Sequence, residues 1–259
     1  MQGMTAGVLA IFVGVISEQW AVESQIEALQ RTELAGCPVT LGSVGRKPVL
    51  VCRTGLGHRR GRAAVQAVLS EHSPSAVVSV RIASSVASEV RAGDIVLCEK
   101  AHVCLGASVS PEPPPEADRR LLTLAEQAAR TASLRYTRGD VLTYWRDSPG
   151  PADREREELL REMTVVDAGG YAVAEAVRER GLPFLAVRVA LGRVMDVAPE
   201  AMSLVADRGY MRPAKAGLHY LLRPRKAFAF VRLVFGVKRA TQRLSTFMGG
   251  FLREWSLEP

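Results

Sequence analysis

Along the chain, short runs in which nearly every residue is apolar alternate with stretches whose apolar positions recur every three or four residues. The runs "VLAIFVGVIS" (8–17), "KPVLVCRTG" (47–55), "AVVSV" (76–80), "DIVLCEKAHV" (94–103), "TVVDA" (164–168) and "PFLAVRVAL" (183–191) read as strands buried on both faces. The stretches "WAVESQIEALQRT" (20–32), "RRGRAAVQAVLSEH" (59–72), "DRRLLTLAEQAART" (118–131) and "GYAVAEAVRERG" (170–181) carry the helical period instead. Apolar strands interleaved with amphipathic helices predict an α/β sandwich around a largely buried, mixed or parallel sheet. The segment "SPEPPPEADRR" is a surface loop, with Glu116 and Asp118 at the start of the helix that follows.

Beyond Pro199 the strand punctuation disappears, and the chain reads as helix interrupted at Pro224. The expected division is therefore an α/β domain over 1–212 and a basic amphipathic helical tail over 213–259. In that tail Arg225, Arg232, Arg239 and Arg243 share one stripe, with Phe230, Val234, Val237, Leu244 and Met248 opposite. Two fates suit such a helix: its apolar face docks on the domain, or 221–248 lies on an anionic membrane surface.

The composition, 259 residues with 47% hydrophobic and 24% charged, is that of a soluble globular protein with ample core. The formal net charge of +7 is confined to one segment. Between Pro213 and the C-terminus lie nine basic residues and two acidic ones, so the first 212 residues are neutral. A neutral body offers no continuous basic surface and argues against nucleic acid as partner. Four cysteines, Cys37, Cys52, Cys98 and Cys104, form no CxxC pair, which argues against metal ligation and a disulfide framework. A reducing cytoplasm, with the protein peripheral on the inner membrane face if the tail binds lipid, is the expected location. The first apolar run is too short to span a bilayer, which needs about 20 residues, and reads as a strand rather than a signal peptide.

Candidate chemistry gathers in loops after the strands, where ligands bind in α/β sheets. In "TGLGHRRGRAA", Gly55 and Gly57 free the backbone for close approach, Arg60 faces an anion or a ribose oxygen, and His58 lies beside it. In "VVSVRIASSVASEVRAGDIVL", Ala83, Ser84 and Ser85 follow a buried strand, and Asp94 shapes the "RAGD" turn. His72, His102 and His219 form no visible constellation.

"VGVISEQ", "TGLGHRRGRAA", "VASEVRAGDIVL" and "VVDAGGYAVAEAVRERGLPFLAVRV", in this order and at these separations, resemble the nucleoside phosphorylase and nucleosidase superfamily. The basic tail adds a resemblance to the hopanoid-associated phosphorylase branch, implicated in cleaving adenine from adenosylhopane. The resemblance covers nearly the whole chain and implies a three-layer α/β/α sandwich, no cofactor, phosphate as a co-substrate in phosphorylases, and a homo-oligomer. It also implies a site. Family members carry a Met-Glu pair that grips ribose where this chain has Ala168 and Gly169, after the family's Asp, here Asp167. The family's purine-protonating aspartate falls at Gly192, and the first glycine of the family's GxAGxL turn is Arg81, with Ser84 and Ser85 following. Glu18 falls close to an acidic position of the first loop and is the remaining candidate to activate water or phosphate; the other reading is an N-terminal helix residue favoured by the dipole.

These replacements leave two readings. One is N-glycosidic cleavage of a purine nucleoside, including a lipid-linked one. The other is a catalytically inactive member acting as a ligand-binding or scaffold protein at the membrane. The direction of Arg81 matters to both: in the pocket it opposes the developing oxocarbenium ion, whereas toward phosphate it assists.

Overall fold

The computed structural model describes residues 7–56, 58–105, 108–110, 112–144, 158, 160–193 and 224–257. The strands are β1 (Leu9–Val13), β2 (Glu27–Leu34), β3 (Cys37–Val44), β4 (Lys47–Arg53), β5 (Ala76–Ser85), β6 (Ile95–Leu105), β7 (Ser108–Val109), β8 (Tyr136–Tyr144), β9 (Val165–Asp167) and β10 (Phe184–Arg193). The helices are α1 (Ile16–Glu23), α2 (His58–His72), α3 (Arg119–Thr131), α4 (Tyr171–Glu179) and α5 (Pro224–Leu257).

All ten strands belong to one mixed sheet, in the order β10-β6-β8-β9-β5-β1-β4-β3-β2, with β7 on β6. β1 lies parallel between β4 and β5, and all five of its residues are buried. Its side chains alternate between two cores, as the pleat requires. Leu9, Ile11 and Val13 face the cluster built with α1, α3 and α5, whereas Ala10 and Phe12 face the one built with α2 and α4. This is the expected three-layer architecture. The sheet also curls: β10 pairs with β5 as well as β6, so β5, β10, β6, β8 and β9 close a ring.

Two expectations change. The helix expected over 20–32 is α1 for its first part only. From Glu27 the chain turns back as β2, antiparallel to β3, with Leu34 opposite Cys37. Ala35 and Gly36 both adopt positive φ (48° and 72°), the geometry of a two-residue hairpin turn. That turn and the ladder override the helix propensity of "EALQRTEL", whose side chains are almost all exposed.

The tail helix begins at Pro224, where the missing N–H costs nothing because first-turn donors have no intrahelical partner. Ala240, Leu244, Phe247, Met248, Phe251, Leu252 and Trp255 are buried within the α1–α3 core, so this part of α5 completes the domain. Ser245 adds hydrogen bonds to Ser24 and Gln25, and Lys47 donates to the Trp255 carbonyl. Val234 differs from expectation: it is exposed, not on the buried face. The side chains of Arg225, Phe230 and Arg232 lie outside the described residues.

Candidate functional site

The parallel strands β1, β4, β5 and β10 end together, and four charged side chains meet at or just below those ends: Glu18, Arg81, Asp167 and Arg188. They are 3%, 2%, 6% and 1% exposed, so none answers to solvent. Two cations and two anions cancel, which is the condition for burying charge at all.

Arg81 and Arg188 are register partners on β5 and β10, so both project from the same face of the sheet, toward α2 and α4. Arg188 is anchored to Asp167, Nε to Oδ2 at 2.7 Å, and donates to the carbonyls of Ser79 and Val187 at 2.8 and 2.9 Å. The other Asp167 oxygen accepts from Thr143 Oγ1 at 2.6 Å and from the Gly170 amide at 3.3 Å. Asp167 is therefore the clasp between β8, β9, β10 and the start of α4. Gly170 is required beside it, because a Cβ there would collide with the Asp167 carboxylate and the Arg188 guanidinium.

The Arg81 side chain enters the space between the strand ends, where the protein's own groups meet both terminal nitrogens while its buried Nε has no hydrogen-bond partner among the described residues. Nη2 donates to Thr54 Oγ1 at 2.8 Å, and Nη1 donates to the carbonyls of Gly55 and Ala168, both at 3.2 Å. It joins the loop after β4 to the loop after β9, the two segments expected to embrace a ligand. Gly55 contributes its carbonyl at a φ of +77°. Gly14, ending β1, makes the room: a Cβ there would strike the Arg81 guanidinium. Burial pushes the Arg81 guanidinium below its ordinary value, while Asp167 and Glu18 hold it up and Arg188 presses it down.

Glu18 folds back over the turn between β1 and α1. One oxygen accepts from the amides of Gly14 and Val15 at 2.6 and 2.9 Å, and the other from the Ile82 amide at 2.6 Å. The contact to Val15 is the reach of a helix N3 glutamate to the N-cap amide, and the contact to Ile82 ties that turn to β5. Burial raises its carboxyl above the ordinary value, opposed by Arg81 and by the N–H groups of Ile82, Val15 and Gly14.

The remaining expected residues scatter. Arg60 turns away from the strand ends to the β2–β3 hairpin, donating to the Gly36 carbonyl and, at 3.3 Å, to Cys37 Sγ. Ser84 is half-buried in the ladder opposite Val166. Ser85 is buried, with no hydrogen-bond partner for its Oγ among the described residues. Gly192 lies at the irregular end of β10 with nothing within 4 Å of an added Cβ. Gly169 has a φ of +92°, and an added Cβ would sit 3.0 Å from the Leu56 carbonyl oxygen. Gly57, the His58 side chain and His219 lie outside the described residues. His102 is not isolated, since its Nε2 lies 3.0 Å from Asp140 on β8. Asp94 does shape its turn, accepting from the Arg91 amide at 2.9 Å and pairing with Arg135.

Arg188, Thr54, Thr143 and Gly14 were not expected at the site. A signal for Arg188 was present: a lone arginine inside the apolar run "PFLAVRVAL" demands a buried partner. The threonines and Gly14 had no comparable signal, because their role depends on strands distant in sequence.

Comparison with known proteins agrees with this architecture. The 5'-methylthioadenosine/S-adenosylhomocysteine nucleosidase of Geobacillus kaustophilus is 25% identical over 229 residues, covering 82% of this chain and 94% of that protein. The nucleosidase of the same name from Oceanobacillus iheyensis is 21% identical over 220 residues, covering 79% and 91%. Among solved structures, the corresponding Helicobacter pylori nucleosidase superposes with a TM-score of 0.73 at 14% identity, covering 97% of this chain and 100% of that one. The futalosine hydrolase of the same organism gives 0.63 at 16% identity, covering 71% and 87%. The family model described as the phosphorylase superfamily matches residues 12–218, and this chain belongs to that superfamily.

Proposed function

We propose that this chain is a non-cleaving member of the superfamily, a ligand-binding or scaffold protein that keeps the nucleosidase framework without its reaction. The observation that carries this reading is the set of contacts made by Arg81. Its guanidinium occupies the space between the ends of β1, β4, β5 and β9, held by Thr54, Gly55 and Ala168. A cation fixed there opposes the positive charge that develops on ribose as an N-glycosidic bond breaks. The position of the family's purine acid is Gly192, and general acid help of that kind is worth about 10²–10⁴-fold. The position of the ribose-binding carboxylate is Gly169, and a hydrogen bond to a charged group contributes about 1.5–3 kcal/mol. Glu18, the remaining acid, is engaged by three backbone amides.

The second reading is cleavage of a purine nucleoside by water or phosphate, with a lipid-linked nucleoside such as adenosylhopane as a substrate. The similarity to methylthioadenosine nucleosidases over 82% of the chain favours it. Purified protein incubated with 5'-methylthioadenosine or adenosine, with and without phosphate, separates the two when free adenine is measured by chromatography. The expected result is release indistinguishable from the uncatalysed control, also for Arg81→Met, which keeps the bulk and removes the charge. Rapid release by the unaltered protein, from these nucleosides or from a hopanoid nucleoside, would establish the enzyme reading instead.

A further inference from the structure

Helix α5 is longer than the surface that buries it. From Ala240 onward its apolar residues enter the core, but the preceding turns do not follow suit: Val234 is 43% and Phe235 66% exposed. Here the helix passes the end of β10, where a Cβ added at Gly236 would lie 3.1 Å from Leu191 Cδ1. Positions four apart are neighbours on a helix, so Val234 and Phe235 adjoin Lys238 and Arg239, and Arg239 adjoins Arg243, all exposed. The last two lie across Gly93 in the β5–β6 turn, where an added Cβ would be 3.4 Å from Arg239 Nε and 3.5 Å from Arg243 Cγ. Arg91, also exposed, lies two residues from Gly93 in the same turn.

No acidic residue occurs from Pro224 through Arg253, a segment that contains seven basic ones. Among the described residues, Lys238, Arg239 and Arg243 have no carboxylate partner. The sequence from 227 to 237 is apolar except for Arg232, and cations flank it on both sides. That stretch is too short to cross a bilayer, which needs about 20 residues, and no helix among the described residues is long and apolar enough to do so.

A surface that suits this stripe is negatively charged outside and apolar just beneath. Nucleic acid satisfies the cations but offers no apolar layer for Val234. We infer that the exposed face of α5 is a docking site for an anionic lipid bilayer. Val234 and Phe235 enter the boundary between headgroups and acyl chains, while Lys238, Arg239 and Arg243 hold lipid phosphates. The inference is independent of how Arg81 bears on catalysis.

Vesicle flotation of the full chain tests it, comparing phosphatidylcholine alone with phosphatidylcholine containing phosphatidylglycerol. Binding to the anionic vesicles only, weakening with salt, is expected. At about 1 kcal/mol per cation, the triple variant Lys238→Gln, Arg239→Gln, Arg243→Gln partitions about a hundredfold less. Phe235→Ser keeps the electrostatic attraction but loses the part that persists at high salt. These side chains are exposed, so the variants keep the thermal midpoint of the parent, which shows that they fold. Equal flotation of parent and triple variant, no flotation at all, or preferential binding to a DNA or RNA oligonucleotide would each overturn the inference.

Discussion

Gly169 and Gly170 show how tightly the backbone constrains the loop after β9. A side chain at 169 meets a φ of +92° and the Leu56 carbonyl, and a side chain at 170 meets the buried Asp167–Arg188 pair. Replacing either residue is a backbone problem before it is a chemical one. Gly169→Glu is therefore expected to lower stability by about 1–2 kcal/mol, the cost of a left-handed conformation for an L-residue, and to release no adenine. Denaturant unfolding together with the release assay checks both parts. A variant as stable as the parent that cleaves nucleoside would show that the loop remains competent. The same logic applies at Gly14, where a methyl group collides with Arg81; Gly14→Ala should destabilise, and the additional change Arg81→Gly should recover part of the loss.

Among the elements, α5 and β2 depart most from the pattern of the chain. β2 is written in helix-forming residues and held as a strand by its hairpin and by β3. α5 is a basic amphipathic helix whose last turns are core. Phe247 and Phe251 stack there, with ring centroids 6.1 Å apart, and both are fully buried. Phe251→Ala should cost about 3–5 kcal/mol, as for other buried aromatic truncations, and a thermal melt would record it. Phe235→Ser, about four turns nearer the start of the helix and exposed, should leave the melt unchanged. Equal losses at the two positions would mean that the helix is buried along its whole length.

For the whole molecule, the burial that closes the strand ends also silences the thiols. All four cysteines are buried and free. Burial pushes the Cys98 thiol from an ordinary 9.0 up to about 12, with Arg188 pulling it down and Asp167 and Asp140 adding to the rise. Cys52 moves in the same direction, chiefly by burial. The native state thus keeps protons that the unfolded chain gives up. The associated stability is complete below about pH 9 and declines as pH rises toward 12. Ellman's reagent should find no reactive thiol near neutrality in the folded protein and four after denaturation. The unfolding midpoint should fall with pH above 9, and less steeply in Cys98→Ala. The alternating apolar runs and helical periods specified the layers, and the motifs in their order pointed to the family, because periodicity and motif spacing are local properties of the chain. They left open where Arg81 points, that Arg188 shares its burial with Asp167, that "EALQRTEL" is a strand, and which turns of α5 are core. Each of those depends on groups far apart in sequence, and a buried charge or an edge strand acquires its partner only when the sheet assembles.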